Sequence, residues 1–386
     1  MKICLYSLSP KVGGGVVVKT MLLLRYLIEE GHDVVWVYPK VKGALPSYVQ
    51  DFLDNYELKI IEKRVIPYFR VLDSIDFYSE IEGDFDIHQV VTGYCVDGMI
   101  FRRLPKRYFI WAATTLRAEK HTISFLSIRT FKQVFTYITF KLGLLLEKFS
   151  ANRAYKIFAA SDPSRINIID EFRLDSRKVT TIYPIIDTDK YTFNPVPART
   201  ALEPYVLYMG IFSGRKNIDL LVNSFVLVHK KNSFIKLKLV GKLNGYGDYF
   251  NNLIEIRGLQ NCVEIVGEVS DNTVWYQNAM CTALTSFEEG FGMVLAESLS
   301  CGTPVISTHS GGVTDIVKDG VNGFLVGFTE QEVSDAILKL YDNLEMRESF
   351  SINGRKHVVD SFSVSTIGSK IVTEYKSFLD SNSNED

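Results

Sequence analysis

The 386-residue sequence lacks any strong imbalance of charge: 43 lysines and arginines face 45 aspartates and glutamates, for a net charge of -2. A chain so balanced carries no overall field to draw in a nucleic acid, and no such partner is expected. It also lacks a cysteine framework. The five cysteines, Cys4, Cys95, Cys262, Cys281 and Cys301, are scattered, odd in number and set mostly within apolar runs. That pattern argues against a disulfide scaffold or a zinc site and suits buried thiols in a reducing compartment. No stretch reaches the roughly 18 uninterrupted apolar residues of a membrane-spanning helix. The opening MKICLYSLSP has too short an apolar run for a secretory signal. A cytoplasmic location is expected, with association at the inner membrane face left open.

What is present is ample core. Hydrophobic residues make up 46% and charged residues 23%, as in a soluble globular chain of two or three domains. The first forty residues read as a βαβ unit. Lys2–Tyr6 is strand-like and Gly13-Gly14-Gly15 forms a turn. Val17, Met21, Leu24 and Ile28 recur at helical spacing, Gly31 stops the helix, and Asp33–Tyr38 is the next strand. Strands are predicted at Ile87–Val91, Tyr108–Trp111, Lys156–Ala160 and Val179–Ile182, with Ser161 capping the helix after the third of these. A proline-rich segment, TFNPVP over Thr192–Pro197, suits a linker. Beyond it a second α/β series begins, with strands at Tyr205–Met209, Ile235–Val240, Val263–Val266, Thr282–Thr285 and Pro304–Ser307. Asn217 is a candidate cap in this half, and Ser270 and Asp271 can start a further helix. Alternation of this kind predicts parallel sheets covered on both faces. The expected fold class is α/β, with two Rossmann-like doubly wound domains facing a central cleft. Expected boundaries are 1–194, 195–364 and a C-terminal helix with a frayed tail over 365–386. In open parallel sheets, ligands bind at the carboxyl ends of the strands.

The most specific stretch is SFEEGFGMVLAESLSCGTPV, Ser286–Val305. Gly290-Phe291-Gly292 lacks side-chain bulk at two positions, which lets backbone N–H groups approach a ligand. The helix start at Met293 and Val294 then offers unpaired donors and a positive dipole end, suited to phosphate. Glu289 lies in the loop, and Glu297 follows about two helical turns later. A second constellation, Gly210-Ile211-Phe212-Ser213-Gly214-Arg215-Lys216-Asn217, follows a strand and opens a helix. Two cations and a helix dipole there suit a diphosphate. The Gly13-Gly14-Gly15 triplet is not a dinucleotide fingerprint, because GGGVVV lacks the third glycine at the required place.

The Glu-x7-Glu pair, with GFG inside it and CGTPV after it, resembles the signature of retaining GT-B glycosyltransferases of family 4. The resemblance is strong over Tyr205–Phe362 and mainly one of pattern over Met1–Asn194. It implies a retaining hexosyltransferase, moving a hexose from a nucleotide-diphosphate sugar to a glycan or lipid-linked acceptor in cell-surface polysaccharide or glycolipid assembly. The resemblance also implies that the last helix crosses back to the N-terminal domain. In the family's G-R-x-x-x-x-K loop, arginine and lysine grip the diphosphate. Lys216 falls on the lysine position and Ile211 on the arginine position, with Arg215 as the nearby replacement. The resemblance implies catalytic roles for Glu289, Lys216 and Arg215. Donor binding is implied for Gly14, Gly15, Gly210, Arg215, Lys216, Glu289, Gly290, Phe291, Gly292, Met293, Val294 and Glu297, with Glu297 on the ribose. Asp315 stands where relatives commonly carry a glutamate, with helix capping as the alternative role.

On the acceptor side His121 is the candidate, against a plain surface histidine beside Glu119 and Lys120. Asp187 resembles the aspartate of an NGVD segment, and the Pro184 and Ile185 replacements favour a structural role. Asn322-Gly323 reads as a structural turn and His309 as a polar loop residue. Asp84-Phe85-Asp86 and Asp187-Thr188-Asp189 are too short to specify a metal site; neither a metal nor a cofactor is expected. Residues 125–149 interleave aromatic and aliphatic side chains with Arg129, Lys132, Lys141 and Lys148, opposed only by Glu147. Such a segment suits an anionic membrane interface or, equally, a helical pair covering the N-terminal sheet. Three rivals stay open: a donor-binding subunit without transfer activity, another GT-B enzyme such as a sugar-nucleotide epimerase, and, more remotely, a nicotinamide dehydrogenase.

Overall fold

The computed structural model describes residues 1–12, 14–64, 85–92, 108–115, 131–193 and 203–383, without the side chains of 63–64, 131–140 and 382–383. It divides into two compact units, Met1–Ile185 with Val364–Asp386, and Ile186–Ser363. In the first unit the described elements run β1 (Lys2–Ser7), α1 (Gly15–Glu29), β2 (Asp33–Lys40), α2 (Ser47–Asn55), β3 (Lys59–Arg64) and β4 (Ile87–Thr92). They continue with β5 (Phe109–Ala112), α3 (Phe131–Arg153), β6 (Lys156–Ala159), α4 (Asp162–Phe172) and β7 (Val179–Thr181). The second unit holds β8 (Tyr205–Met209), α5 (Ile218–Lys231), β9 (Lys236–Val240), α6 (Gly247–Ile256), β10 (Val263–Gly267), α7 (Thr273–Asn278) and β11 (Cys281–Leu284). It ends with α8 (Met293–Ser300), β12 (Val305–Thr308), α9 (Val313–Ile316), β13 (Gly323–Val326), α10 (Glu330–Asp342) and α11 (Leu344–Phe362). The last helix, α12 (Val364–Ser383), belongs to the first unit.

The first sheet has the order β3-β2-β1-β4-β5-β6-β7 and the second β10-β9-β8-β11-β12-β13. Neighbouring strands in both pair in parallel. Both are doubly wound sheets whose chain order reverses beside β1 and β8, the place where such folds open a crevice at the strands' carboxyl ends. Side chains of a strand alternate between faces. In β1, Ile3 and Leu5 enter one apolar core while Cys4 and Tyr6 enter the other; Phe109 and Trp111 against Ile110 and Ala112 do the same in β5. Apolar residues on both faces explain why these strands read as continuous hydrophobic runs.

The unit boundary falls at Ile185/Ile186, upstream of the proline-rich segment expected to contain it. The reason lies in hydrogen bonds. Ile186 N–H donates to Phe362 O at 2.8 Å, and Arg355 donates to the carbonyls of Thr188 and Tyr191 at 3.1 and 2.7 Å. Ser300 Oγ also donates to Tyr191 O at 2.8 Å. These bonds fasten 186–191 to the second unit before the prolines begin. β3 and α2 had no counterpart in the sequence reading. β3 is an edge strand whose two isoleucines are followed by Glu62, Lys63 and Arg64, and charged edges give a weak strand signal. Ser161 does cap α4, its Oγ accepting from Ser164 N–H at 3.1 Å. Asp271 likewise accepts from Thr273 N–H at 2.9 Å.

In α12, Gly368 packs directly on Tyr26 of α1, and a Cβ there would lie 2.4 Å from the base of the ring. Alanine is the better helix former by about 1 kcal/mol, yet overpacking costs about 1–3 kcal/mol. The contact should win: Gly368→Ala is expected to lower the midpoint of thermal unfolding measured by circular dichroism. A rise would mean that the helix pair is looser than described.

Candidate active site

The loop after β8 is shaped by close backbone approach. Gly210 has φ +149°, and a Cβ on Gly241, the residue after β9, would lie 2.0 Å from Gly210 O. A single 3-10 turn, Gly214–Lys216, then presents Arg215 and Lys216. Asn217 does not cap α5 through its side chain as expected; it adopts a left-handed conformation with φ 47° that turns the chain into the helix. Two bonds stitch this loop to the one after the neighbouring strand β11: Thr285 Oγ1 donates to Asn217 O, and Phe287 N–H donates to Arg215 O, each at 2.9 Å.

Those stitches bring the two cations onto Glu289, which is buried. Lys216 Nζ donates to Glu289 Oε1 at 2.5 Å, Ser286 Oγ donates to the same oxygen at 2.7 Å, and Arg215 approaches Oε2 at 3.4 Å. Arg215 also donates to Glu288 O at 2.5 Å. Burial pushes the Glu289 carboxyl up, but the charges of Lys216 and Arg215 and the hydrogen bonds of Lys216 and Ser286 outweigh it, leaving the group below its ordinary range. Two cations thus meet one buried carboxylate, and the carboxylate of the adjacent Glu288 lies by the same turn, against Gly311.

The glycine turn follows. Gly292, at φ +101°, precedes α8 and gives it no side-chain cap, so the helix start presents backbone amides in the way that favours an anion. Gly311 and Gly312 press on this turn: a Cβ on them would lie 2.3 Å from Glu289 O and 2.2 Å from Gly290 O, and Gly312 N–H donates to Glu289 O at 2.8 Å. The SGG motif therefore holds the turn in shape. Phe291 is buried edge-on against Phe362, so its side chain serves packing. Met293 and Val294 are half-buried at the helix start. Phe287, two residues before Glu289, stacks on Phe328 with centroids 5.7 Å apart, and both rings are exposed.

Glu297, one turn into α8, sits in a different environment. Tyr276 Oη donates to its Oε2 at 2.8 Å. Tyr191 stands nearby, its hydroxyl donating to Asn272 Oδ1 at 3.3 Å and accepting from Asn272 Nδ2 at 3.1 Å. Burial dominates here and raises the Glu297 pKa, against the opposing hydrogen bond from Tyr276, the charge of Lys190 and the nearby Tyr191 hydroxyl. The sequence reading missed Ser286, Tyr276, Tyr191 and Asn272. Ser286 stands three residues before Glu289 and was legible as a local partner. The tyrosines come from other elements, and nothing in their local sequence announces the contact.

Ile211, at the arginine position, is 51% exposed and contributes only its carbonyl, which accepts from Tyr208 Oη at 3.1 Å. Arg215 is the residue that brings the second cation to Glu289. Gly14, at φ +87°, precedes α1, whose first residue is Gly15, and its carbonyl accepts from Val17 and Val18 N–H. His121, Gly13 and Asp84 lie outside the described residues. The first unit carries a cation that the sequence reading did not single out. Lys19 of α1 is buried at the carboxyl ends of β4 and β5. Its Nζ lies 3.4 and 3.5 Å from the carbonyls of Thr92 and Trp111, and burial pushes its pKa down to about 7. Asp187 accepts from the N–H groups of Asp189 and Lys190, a local turn. Asn322 bonds Ile316 O and Lys318 N–H and is structural. The Asp315 carbonyl meets His357 Nε2 at 3.1 Å.

The two carboxylates make opposite demands on pH. Glu289 is lowered, so its ionised form stabilises the fold above the ordinary carboxylate range, and that contribution is lost as pH falls through the lowered value. Glu297 is raised, so its contribution is present at low pH and is lost as pH rises through the raised value. At neutral pH Glu289→Gln should melt well below wild type, with the gap narrowing under acid. Glu297→Gln should melt at or above wild type. Melting curves from pH 7 down to the carboxylate range test both, and equal behaviour of the two variants would contradict the geometry.

The model of glycosyltransferase family 4 matches residues 13–190 and that of glycosyl transferases group 1 matches residues 193–357. Among curated relatives, the capsular polysaccharide biosynthesis glycosyltransferase CapM of Staphylococcus aureus is 27% identical over 211 residues, 54% of this chain and 52% of that protein. A probable sucrose-phosphate synthase of Thermosipho melanesiensis is 25% identical over 314 residues, 76% of this chain and 68% of that protein. The chain spans about half, or less, of the length of several curated relatives it matches. Among solved structures, Anabaena HepE in complex with UDP-glucose aligns with a TM-score of 0.79 at 20% identity, covering 98% of this chain and 100% of that one. That likeness is one of fold. With two adjoining family matches, two doubly wound sheets and the Glu289/Glu297 motif, the chain belongs to the GT-B glycosyltransferases of family 4.

Proposed function

We propose that the protein is a retaining, metal-independent glycosyltransferase that moves a hexose from a nucleotide-diphosphate sugar to a glycan or lipid-linked acceptor. The observation that carries this reading is the convergence of Lys216, Arg215 and the uncapped start of α8 around Glu289. A departing diphosphate needs its growing charge neutralised, and preorganised cations with backbone amides supply that where water is excluded. In this reading Lys216 and Arg215 face the phosphates, and Glu297 accepts from the ribose hydroxyls while Tyr276 holds it. Glu289 orients the transferred sugar through that sugar's hydroxyls. The bond from the anomeric carbon to the phosphate oxygen breaks as the acceptor oxygen bonds the same face. The acceptor proton passes to the leaving phosphate, and no protein nucleophile is required.

CapM's role in capsular polysaccharide biosynthesis supports a cell-surface polysaccharide as product class, and HepE's complex with UDP-glucose supports a uridine donor. A second reading, donor binding without transfer, rests on Ile211 at the arginine position, where a side chain without charge is exposed.

The test is a thermal-shift panel of UDP-, GDP- and ADP-sugars, with and without EDTA, followed by turnover with acceptor oligosaccharides. One nucleotide sugar should stabilise wild type by about 2–3 kcal/mol at a hundredfold excess over Kd, with EDTA present. Lys216→Met should lower kcat by about 10²–10³-fold, and the anomeric proton coupling of the product should match that of the donor. Donor stabilisation without any turnover would favour the second reading. An inverted product, or loss of binding in EDTA, would overturn the mechanism.

A further inference from the structure

Two aromatic rings at the carboxyl ends of the second sheet belong to no core. Phe287, in the loop after β11, and Phe328, in the loop after β13, stack with centroids 5.7 Å apart and planes 20° from parallel. They are nevertheless 57% and 45% exposed. Both stand on fixed backbone. Phe287 N–H donates to Arg215 O at 2.9 Å, and Thr308 Oγ1 donates to the carbonyl of the preceding Ser286 at 2.7 Å. Beside Phe328, Gly327 N–H donates to Glu332 Oε1 at 3.3 Å, and Thr329 caps α10 by accepting from Glu332 N–H. The ring pair is therefore held in one place without being buried. Its polar neighbours are His309, exposed after β12, the strand between β11 and β13, and Glu288, next to Phe287 in the chain.

We propose that Phe287 and Phe328 form a stacking subsite for a pyranose ring of the acceptor glycan. Strand order gives the subsite its place. Along the sheet run β8, β11, β12 and β13, and the loops after them carry Lys216 and Arg215, then Glu289, then His309, then Phe328. The proposal rests on the transferase reading, in which the cations take the diphosphate and Glu289 the transferred sugar. The next position along the same row then belongs to the sugar that receives it. The chemistry fits that occupant. A pyranose presents a face of C–H bonds whose hydrogens are slightly positive, and the face of an aromatic ring is negative. Its hydroxyls project sideways, where an imidazole or a carboxylate can meet them. A nucleobase would also stack, but in this reading Glu297 takes the ribose, and the base is attached at the end of the donor away from its sugar. Two rings are too small a patch for a protein partner, which needs about 800 Å² on each side.

The experiment is saturation-transfer NMR on the full chain, with the methyl pyranosides of glucose, galactose, mannose and N-acetylglucosamine as probes. At least one glycoside should take up saturation, concentrated on the hydrogens of one ring face. Phe328→Ala and Phe287→Ala should each weaken its affinity about threefold or more, while Phe328→Tyr retains it. Both rings are exposed, so the variants should melt like wild type. Thermal shifts separate this proposal from the transferase reading: nucleotide sugars should stabilise Phe328→Ala as they do wild type. A wild type that binds glycoside through these rings but no nucleotide sugar would overturn the transferase reading and with it the acceptor role. A wild type that binds donor, but whose glycoside signal persists in both alanine variants, overturns the subsite alone. The subsite also falls if no glycoside takes up saturation from wild type. It falls too if Phe328→Ala loses the stabilisation that a nucleotide sugar gives beyond its nucleotide, since the rings would then hold the transferred sugar.

Discussion

Glu289 is buried with two cations upon it, and the geometry of the candidate site depends on that arrangement. A lone carboxylate in such a place would be driven to its neutral form. Lys216 at 2.5 Å and Arg215 at 3.4 Å keep it charged, and in turn it keeps two flexible side chains in place. Removing one partner of a buried pair typically costs about 3–5 kcal/mol, because the other is left uncompensated. The cluster spans the loops that follow β8 and β11, which are adjacent strands, so its order is inherited from the sheet beneath it.

That arrangement requires loops that approach one another more closely than side chains permit. Gly241 against Gly210, and Gly311 and Gly312 against the Glu289–Gly290 backbone, are contacts at which a Cβ would sit 2.0–2.3 Å from a carbonyl oxygen. These glycines act by omission. A backbone packed on backbone has few alternative positions, so the amides at the start of α8 are fixed before any ligand arrives, which is what electrostatic preorganisation demands.

How much of this was legible in the sequence divides along a physical line. Strands buried on both faces, such as Tyr205–Met209, carry an unbroken apolar run and were placed to the residue. The Glu289/Glu297 pair and Lys216 were legible because a loop and a helix start impose short spacings on chemistry. β3 was not, since an edge strand needs only one apolar side. Nor was the left-handed Asn217, since a residue suited to capping is equally suited to φ > 0. Tyr191 and Tyr276 were illegible for a deeper reason: they meet Glu297 from 106 and 21 residues upstream in the chain, and only the folded sheet brings them together. The boundary at Ile185/Ile186 was hidden likewise. Pro195 and Pro197 lie outside the described residues, whereas the unit begins where Arg355 and Ser300 capture the backbone carbonyls before them.

The two carboxylates show why a motif's spacing does not by itself assign roles. Both are buried and both are eight residues from the other, yet one is surrounded by cations and the other by phenols. Lys216 and Arg215 favour the charged form of Glu289, so its negative charge is permanent and offsets part of theirs. Tyr276 donates to Glu297 without cancelling its desolvation, so its pKa is raised and its charge is the costlier of the two. A ligand that donates further hydrogen bonds to Glu297 would stabilise the ionised form and draw its pKa back down. Hydroxyl pairs do this and phosphates do not, as they are acceptors. The division between a cation-rich carboxylate and a phenol-bonded one therefore follows from the partners each acquires through the fold.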